Sequence, residues 1–517
     1  MNGAESLVHT LLGSGVQVCF SNPGTSEMHF VAALDRIPGM RCVLGLQENV
    51  ATGCADGYWR MARKPAATLL HCGPGLANGL ANLHNARRAR SGIVNVVGDQ
   101  ATYHRPLDAP LTADTEGWAR GVSAWVRTSA RAEEVGADGA VAVQAARTWP
   151  GQVATLILPS DASWNEGGVV APALPVPAAP QADPHAIREA ARMLREKRNV
   201  LLLLGGAALL EGAQRLAGRI AAATGAQLMA EGSNARIQRG RGRLSLGRLP
   251  LERVPYPVDQ AVEALKWVEH LILVNAKPPI GFFGYPGKPS KHYPEGAQVH
   301  VLTRSEQDAV AALRALVDEL NAPEAAIPDA GPRPEPGRGG PVPEAFARTL
   351  AATMPEDAVV VDEAISFGRG FFAHTHAAPP HDWLQITGGA IGCGIPLATG
   401  AAIGAGGRRV IGLQADGSAM YTVQGLWTQA RERLPVTTVI LANRKYQILL
   451  GEYRAVGANP GRVAMDMLDL GNPDLDWVRI AGGLGVEAAR AETLEVCADL
   501  MRQSFARPGP FLIELVI

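Results

Sequence analysis

Short apolar runs, bounded by glycine or small polar residues and separated by amphipathic stretches, recur along the whole chain. Gln17–Phe20, Ala67–His71 and Ile93–Val97 come first, Asn199–Leu204 and Leu271–Val274 follow, and Ala358–Val361, Val410–Ala415, Thr437–Ala442 and Phe511–Val516 close the series. Runs this short and this continuously apolar read as strands buried on both faces, the pattern of parallel sheets covered by helices. Between Val410–Ala415 and Thr437–Ala442, the segment Met420–Arg433 has the periodicity of an amphipathic crossover helix. That unit therefore reads as βαβ, with both strands ending at the same edge.

Two segments rich in proline and alanine interrupt the pattern, Val169–Pro180 and Ala322–Gly340. Proline fixes φ and removes a donor, so these segments read as extended linkers. They divide the chain into residues 1–168, 185–321 and 341–517. Each block is expected to be a doubly wound α/β domain with a mainly parallel sheet. In the central block Leu204-Gly-Gly-Ala207 follows a strand without a G-x-G-x-x-G, and reads as a plain turn rather than a dinucleotide loop.

Composition narrows the class of partner. The 517 residues carry a formal net charge of −1 with lysine and arginine scattered, which argues against nucleic acid or an anionic membrane and for a small-molecule substrate. The six cysteines lack metal-like spacing and no signal peptide is evident, so a reduced cytoplasm is expected. No apolar run is long enough to span a bilayer.

Candidate chemistry sits at strand ends. Asp416-Gly417-Ser418 follows one strand and Asn443 follows the next, 27 residues apart. A carboxylate, an amide oxygen and a backbone carbonyl are hard donors suited to Mg²⁺ on a phosphate, although Asp-Gly also serves simply to start a turn. Near the N-terminus, Ser21–Glu27 between a strand and a helix reads by itself first as a capped Pro-Gly turn, and alternatively as an anion-binding or substrate-positioning loop. Glu48 introduces a helix of small and apolar residues, either as a functional buried carboxylate or as a dipole-stabilised helix start. His71 ends a strand directly before Gly73-Pro-Gly75. A lone histidine there is usually structural, but it faces the same edge as the other candidates.

Together these segments resemble the thiamine diphosphate (ThDP)-dependent decarboxylase and carboligase superfamily, and most of all its benzoylformate decarboxylase group. Asn22–Glu27, Gln47-Glu48, Ala55–Tyr58 and Arg63–Pro65 are similar to the family's pyrimidine domain in order and spacing. Gly388–Pro396, Ala415–Ala419 and Gly425–Trp427 are similar to its pyrophosphate domain. The resemblance implies that residues 1–168 bind the pyrimidine, that 185–321 form a central Rossmann-like domain, and that 341–517 bind diphosphate and Mg²⁺.

The resemblance also implies roles. Glu48 would bond the aminopyrimidine N1′ and promote the tautomer that removes the thiazolium proton, and His71 would relay protons. Thr25 would orient the substrate carboxylate. Gly389 would present its carbonyl to the 4′-amino group and Ile391 would be the apolar fulcrum between the rings. Asp416, Asn443 and the carbonyl of Lys445 would hold Mg²⁺, with Gly417 and Ser418 in the diphosphate loop. The implied reaction is non-oxidative decarboxylation of a 2-oxo acid with carboligation as a possible side activity, in a homodimer or homotetramer whose sites lie between subunits. An acetolactate-synthase-like carboligase, a 2-hydroxyacyl-CoA lyase and a catalytically silent ThDP-fold subunit are the alternatives.

This chain departs from the family at several positions. Ala415 and Ala442 replace residues flanking the metal ligands, Phe282 stands where the benzoylformate decarboxylases carry a second histidine, and Glu452 stands near an aromatic pocket position. Glu452 could face a polar or cationic substrate, or pair with Arg454.

Overall fold

The computed structural model describes residues 1–243, 245–246, 249–250, 252–326 and 330–517. The first sheet is built from β1 (Val18–Ser21), β2 (Arg41–Leu44), β3 (Ala66–Leu70), β4 (Ile93–Asp99), β5 (Trp125–Thr128) and β6 (Val153–Pro159). Its order is β2-β1-β3-β4-β6-β5, all parallel. Every residue of β3, β4 and β6 is buried, which is why these strands are mostly apolar rather than alternating, and the polar Thr68, Asn95 and Thr155 among them bond one another across the sheet.

The central segment contributes β7 (Val200–Leu204), β8 (Gln227–Ala230), β9 (Ile237–Arg239), the small hairpin of β10 (Ser245–Leu246) and β11 (Leu249–Pro250), then β12 (His270–Val274) and β13 (Gln298–Thr303). Four of these strands form a parallel sheet in the order β13-β12-β7-β8. The third sheet contains β14 (Val359–Glu363), β15 (His381–Gln385), β16 (Val410–Ala415), β17 (Val436–Ala442), β18 (Glu487–Ala491) and β19 (Phe511–Val516) in the order β18-β19-β17-β16-β14-β15-β9. The three sheets are mainly parallel with helices covering them, the expected α/β class.

Strand β9 is the exception, since it leaves the central segment to pair antiparallel with β15. Its Arg239 guanidinium lies 3.6 Å from the Phe372 ring centroid and donates to the Phe372 carbonyl, so the edge is closed by packing from another block. The crossover expected over 420–433 is also shorter. Helix begins only at Gly425 and ends at Arg431, because the Thr422 hydroxyl upstream donates to the Gly392 carbonyl and holds that turn.

Val169–Pro180 has no regular structure, and is tied down by the Ala171 N–H on Thr10 Oγ1 and by Gln144 Nε2 on the Pro175 carbonyl. Residues 327–329 of the second linker lie outside the described residues. The blocks meet at Arg60, which makes a bidentate pair with Asp56, both side chains 1% exposed. Arg60 also donates to the carbonyls of Ala235 and Gln385 and to Thr387 Oγ1, so one guanidinium ties segments from all three blocks. Among the described residues no helix is long and apolar enough to cross a membrane.

Candidate active site

In a doubly wound sheet, ligands bind beyond the carboxyl ends of the strands where the strand order reverses. In the third sheet β14 leads to β15 on one side, and the chain then returns to place β16 on the other side. The loops that leave β14 and β16 bound a cleft of about 230 Å³, lined by Ile365, Ile391, Asp416, Gly417, Ser418, Asn443 and Lys445 among others. In the first sheet the same reversal lies between β1 and β3. The loop after β1 carries Thr25, Ser26 and Glu27, and the residue after β3 is His71.

β16 and β17 are parallel neighbours, with Ala415 opposite Leu441, so Asp416 and Asn443 leave adjacent strand ends. Asp416 is 3% exposed. One carboxylate oxygen accepts the Gly417 N–H at 2.8 Å and the other the Arg444 N–H at 2.6 Å. Burial pushes the carboxyl above its ordinary range, and the groups that pull it back are backbone N–H groups. A buried carboxylate served only by peptide dipoles fits a bound cation. Asn443 Oδ1 accepts from the Lys445 N–H at 3.1 Å. Ile365 and Arg444 both have positive φ, 50° and 59°. A β-branched residue in that region is strained, and such strain clusters at functional loops.

The loop Gly388–Gly392 runs beside this cleft and is gripped by the helix Cys72–Ala89. His84 Nε2 donates to the Gly388 carbonyl at 3.1 Å. Asn85 donates to the Ala390 carbonyl at 2.8 Å and accepts from the N–H groups of Gly388 and Ala390. Gly389 has φ +78°, and a Cβ there would lie 2.5 Å from the Phe282 ring. Phe282 thus stands against the residue implied to face the aminopyrimidine. Glu452 accepts from the Tyr285 hydroxyl at 2.8 Å, and no Glu452–Arg454 pair forms among the described residues.

The N-terminal residues form a second cluster. Glu48 begins the helix Glu48–Ala62, is 6% exposed and accepts from Asn78 Nδ2 at 3.0 Å. His71 Nδ1 lies 3.1–3.2 Å from both oxygens of Glu27, and 3.1 Å from Ser26 Oγ. The Ser26 hydroxyl also bonds Glu27 closely. With Nδ1–H assigned to Glu27 from this network, Nε2 is the basic nitrogen of His71. Gly24 makes room for the ring, since a Cβ there would fall 2.1 Å from His71 Cγ. Burial pushes the adjacent Cys72 thiol up to about 11, so it stays protonated at neutral pH.

Glu27 and Ser26 lay inside the segment singled out from sequence, but without roles. Thr25 is exposed, and the hydroxyl at His71 is that of Ser26. Spacing alone reads a glutamate three residues after Gly24 as a helix cap, and Glu27 does accept the Gly24 N–H at 2.8 Å. None of Glu48, His71 and Thr25 lines the cleft that holds Asp416 and Asn443. One chain therefore displays the two constellations separately.

Comparison with known proteins places the chain in a family. Residues 1–118 match the family model "Thiamine pyrophosphate enzyme, N-terminal TPP binding domain", and residues 368–515 match its C-terminal TPP binding domain counterpart. The chain is 50% identical to the "Putative acetolactate synthase large subunit IlvX" of Mycobacterium tuberculosis, over 100% of this chain and 99% of that protein. It is 29% identical to benzoylformate decarboxylase of Pseudomonas aeruginosa, over 97% and 96%. The ThDP-dependent 4-hydroxybenzoylformate decarboxylase of Rhodococcus jostii shares the fold with a TM-score of 0.85 at 24% identity, over 99% and 98% of the two chains. The chain belongs to the thiamine pyrophosphate enzyme family, whose members here include 2-oxo acid decarboxylases and carboligases.

Proposed function

We propose that this protein is a ThDP- and Mg²⁺-dependent enzyme that decarboxylates a 2-oxo acid without oxidation and releases an aldehyde. The observation that carries this reading is the His71–Glu27–Ser26 network, a proton-exchanging group held in one tautomer at a sheet's switch point. Bound ThDP supplies the nucleophilic carbon and the electron sink that decarboxylation requires.

The chain's own residues do the rest. Asp416, Asn443 and the Lys445 carbonyl would hold Mg²⁺, with Gly417 and Ser418 beside the diphosphate and Ile391 beneath the rings. Glu48, fixed by Asn78, would hydrogen-bond N1′ of the aminopyrimidine, donating to it as the acid and accepting from it once that nitrogen is protonated, while the Gly389 carbonyl would accept from the 4′-amino group. His71 Nε2 would deliver the proton that ends the reaction, with Glu27 stabilising the imidazolium. Thr25, exposed at the mouth of the β1 loop, would orient the substrate carboxylate. Phe282, Tyr285 and Glu452 would wall the pocket.

Because Glu48 and His71 do not line the cleft of their own chain, the complete site would join one subunit's first block to another's third block. The exposed Phe282, Phe283, Tyr421 and Leu449 near the cleft would be covered by that second copy in a homodimer or homotetramer. A second reading, an acetolactate-synthase-like carboligase, is supported by the mycobacterial relative.

The test is a panel of 2-oxo acids assayed for CO₂ release, with and without ThDP and Mg²⁺. Stoichiometric aldehyde dependent on both supports decarboxylation, and acetolactate or acetoin from pyruvate supports the carboligase. Turnover only with CoA acceptors would mark a 2-hydroxyacyl-CoA lyase. No turnover with any of them would leave the silent-subunit reading.

A further inference from the structure

Glu363 closes β14, is 1% exposed, and takes no part in the scheme above. Its Oε1 accepts the N–H groups of Gly392 at 2.8 Å and Cys393 at 3.2 Å. Its Oε2 accepts the Gly394 N–H at 2.7 Å and Gln414 Nε2 at 2.8 Å. Four N–H donors on two oxygens suit an ionised carboxylate, because a protonated acid or an amide would turn hydrogens toward donors. Burial pushes this carboxyl above its ordinary range, and the Gln414 amide and the three peptide N–H groups pull it back. Among the described residues no arginine or lysine forms an ion pair with it. The buried carboxylate is met by oriented peptide and amide groups, with the Cys393 thiol also donating to Oε1 at 3.6 Å.

A helix cap explains part of this. The three peptide donors open the helix Gly394–Gly404, where a carboxylate is favoured. It does not explain Gln414. That side chain, buried in β16, donates to Glu363 and also to Ser418 Oγ at 2.7 Å, while Ser418 Oγ donates to the Ala415 carbonyl at 3.0 Å. Gly394 keeps the space open, since a Cβ there would sit 2.0 Å from Gln414 Oε1 and 2.8 Å from Glu363 Oε2. The bridge Glu363–Gln414–Ser418 therefore joins two loops that sequence separates, the one bearing Gly389 and Ile391 and the one bearing Asp416.

We propose that Glu363 is a positioning residue for cofactor binding, which locks the fulcrum loop and the metal-diphosphate loop in fixed relation so that both ends of ThDP are bound as one unit. This rests on the reading of the cleft as the ThDP–Mg²⁺ site. Inorganic pyrophosphate with Mg²⁺ engages only the metal-diphosphate loop, whereas ThDP must engage both. The locked geometry accordingly raises ThDP affinity more than pyrophosphate affinity.

The test is isothermal titration of the full-length, cofactor-stripped enzyme with Mg²⁺ and either ThDP or pyrophosphate, on wild type, Glu363→Gln and Gln414→Leu. Both variants are expected to lose about tenfold or more in ThDP affinity, the scale of a disrupted hydrogen bond to a charged group, with pyrophosphate affinity changed less than about threefold. Gln414→Leu keeps the carboxylate at the helix start, and so carries the test if Glu363→Gln does not fold. A helix cap alone would lower the melting temperature of the stripped enzyme and leave the ratio of the two affinities unchanged. An unchanged ratio in Gln414→Leu would overturn the proposal. A wild type that binds neither ligand would instead overturn the reading of the cleft.

Discussion

The two constellations occupy equivalent places on two sheets and are stabilised in opposite ways. In the first block the polar groups satisfy one another, with Glu27, Ser26 and His71 in one network and Glu48 on Asn78. In the third block Asp416 has only backbone donors, and burial disfavours its charge. One half is complete before any ligand arrives, while the other leaves a buried carboxylate that only backbone N–H groups serve. A preorganised acid–base group needs partners that set its tautomer and orientation, whereas a metal ligand must keep lone pairs unspent.

That contrast predicts different failures. Asp416→Ala should abolish Mg²⁺-dependent ThDP binding, seen as loss of the cofactor-induced rise in melting temperature. A retained rise would show that the cation is held elsewhere. Glu48→Gln should keep cofactor affinity and lower kcat by about 10²–10⁴-fold, the usual range for a lost acid–base partner. Full activity in this variant would remove Glu48 from the chemistry.

Arg60→Leu tests what holds the two halves in one chain. It leaves Asp56 buried without its partner, and should lower stability by about 3–5 kcal/mol in chemical denaturation. Glu27→Gln is a milder change, expected to reduce kcat by about 10–100-fold with KM little altered, because Glu27 acts through His71. An effect confined to KM would make Glu27 a substrate contact instead.

Per pH unit, the smallest effect is a pH dependence away from both halves. Burial, with Arg239 nearby, holds the His381 imidazole down to about 3. Below about 6.5 the unfolded chain binds a proton there and the folded chain does not, so stability falls as pH drops, by at most ~1.4 kcal/mol per unit from about 6.5 to 3. His381→Phe should flatten that slope between pH 7 and 5. An identical slope would assign the acid sensitivity to other groups.

Much of this organisation was legible before the structure. Buried strands announce themselves by unbroken apolar runs, as in Val200–Leu204 and Leu271–Val274, and the polar residue that ends such a run lies at a sheet edge. Asp416 and Asn443 were visible for that reason. Glu363 and Gln414 obeyed the same rule, a carboxylate ending Val359–Glu363 and an amide inside Val410–Ala415. Their partners lie 29–31 and 51 residues away in sequence, so spacing gave them no role. Glu27 was hidden differently, because its local bond to the Gly24 N–H imitates an ordinary cap. Strand β9 was missed because a three-residue strand carries too little periodicity to show which sheet it joins.

The sequence by itself determined the α/β class, the sheet edges at which chemistry could sit and the residue types available there, because periodicity and strand-end polarity are local properties of a chain. Only the tertiary structure decided that His71 meets Glu27 and Ser26, that Glu363 and Gln414 join the loops bearing Ile391 and Asp416, and that the two constellations stand apart within one chain. Those facts depend on strand order and on crossovers between distant segments, which local sequence does not encode.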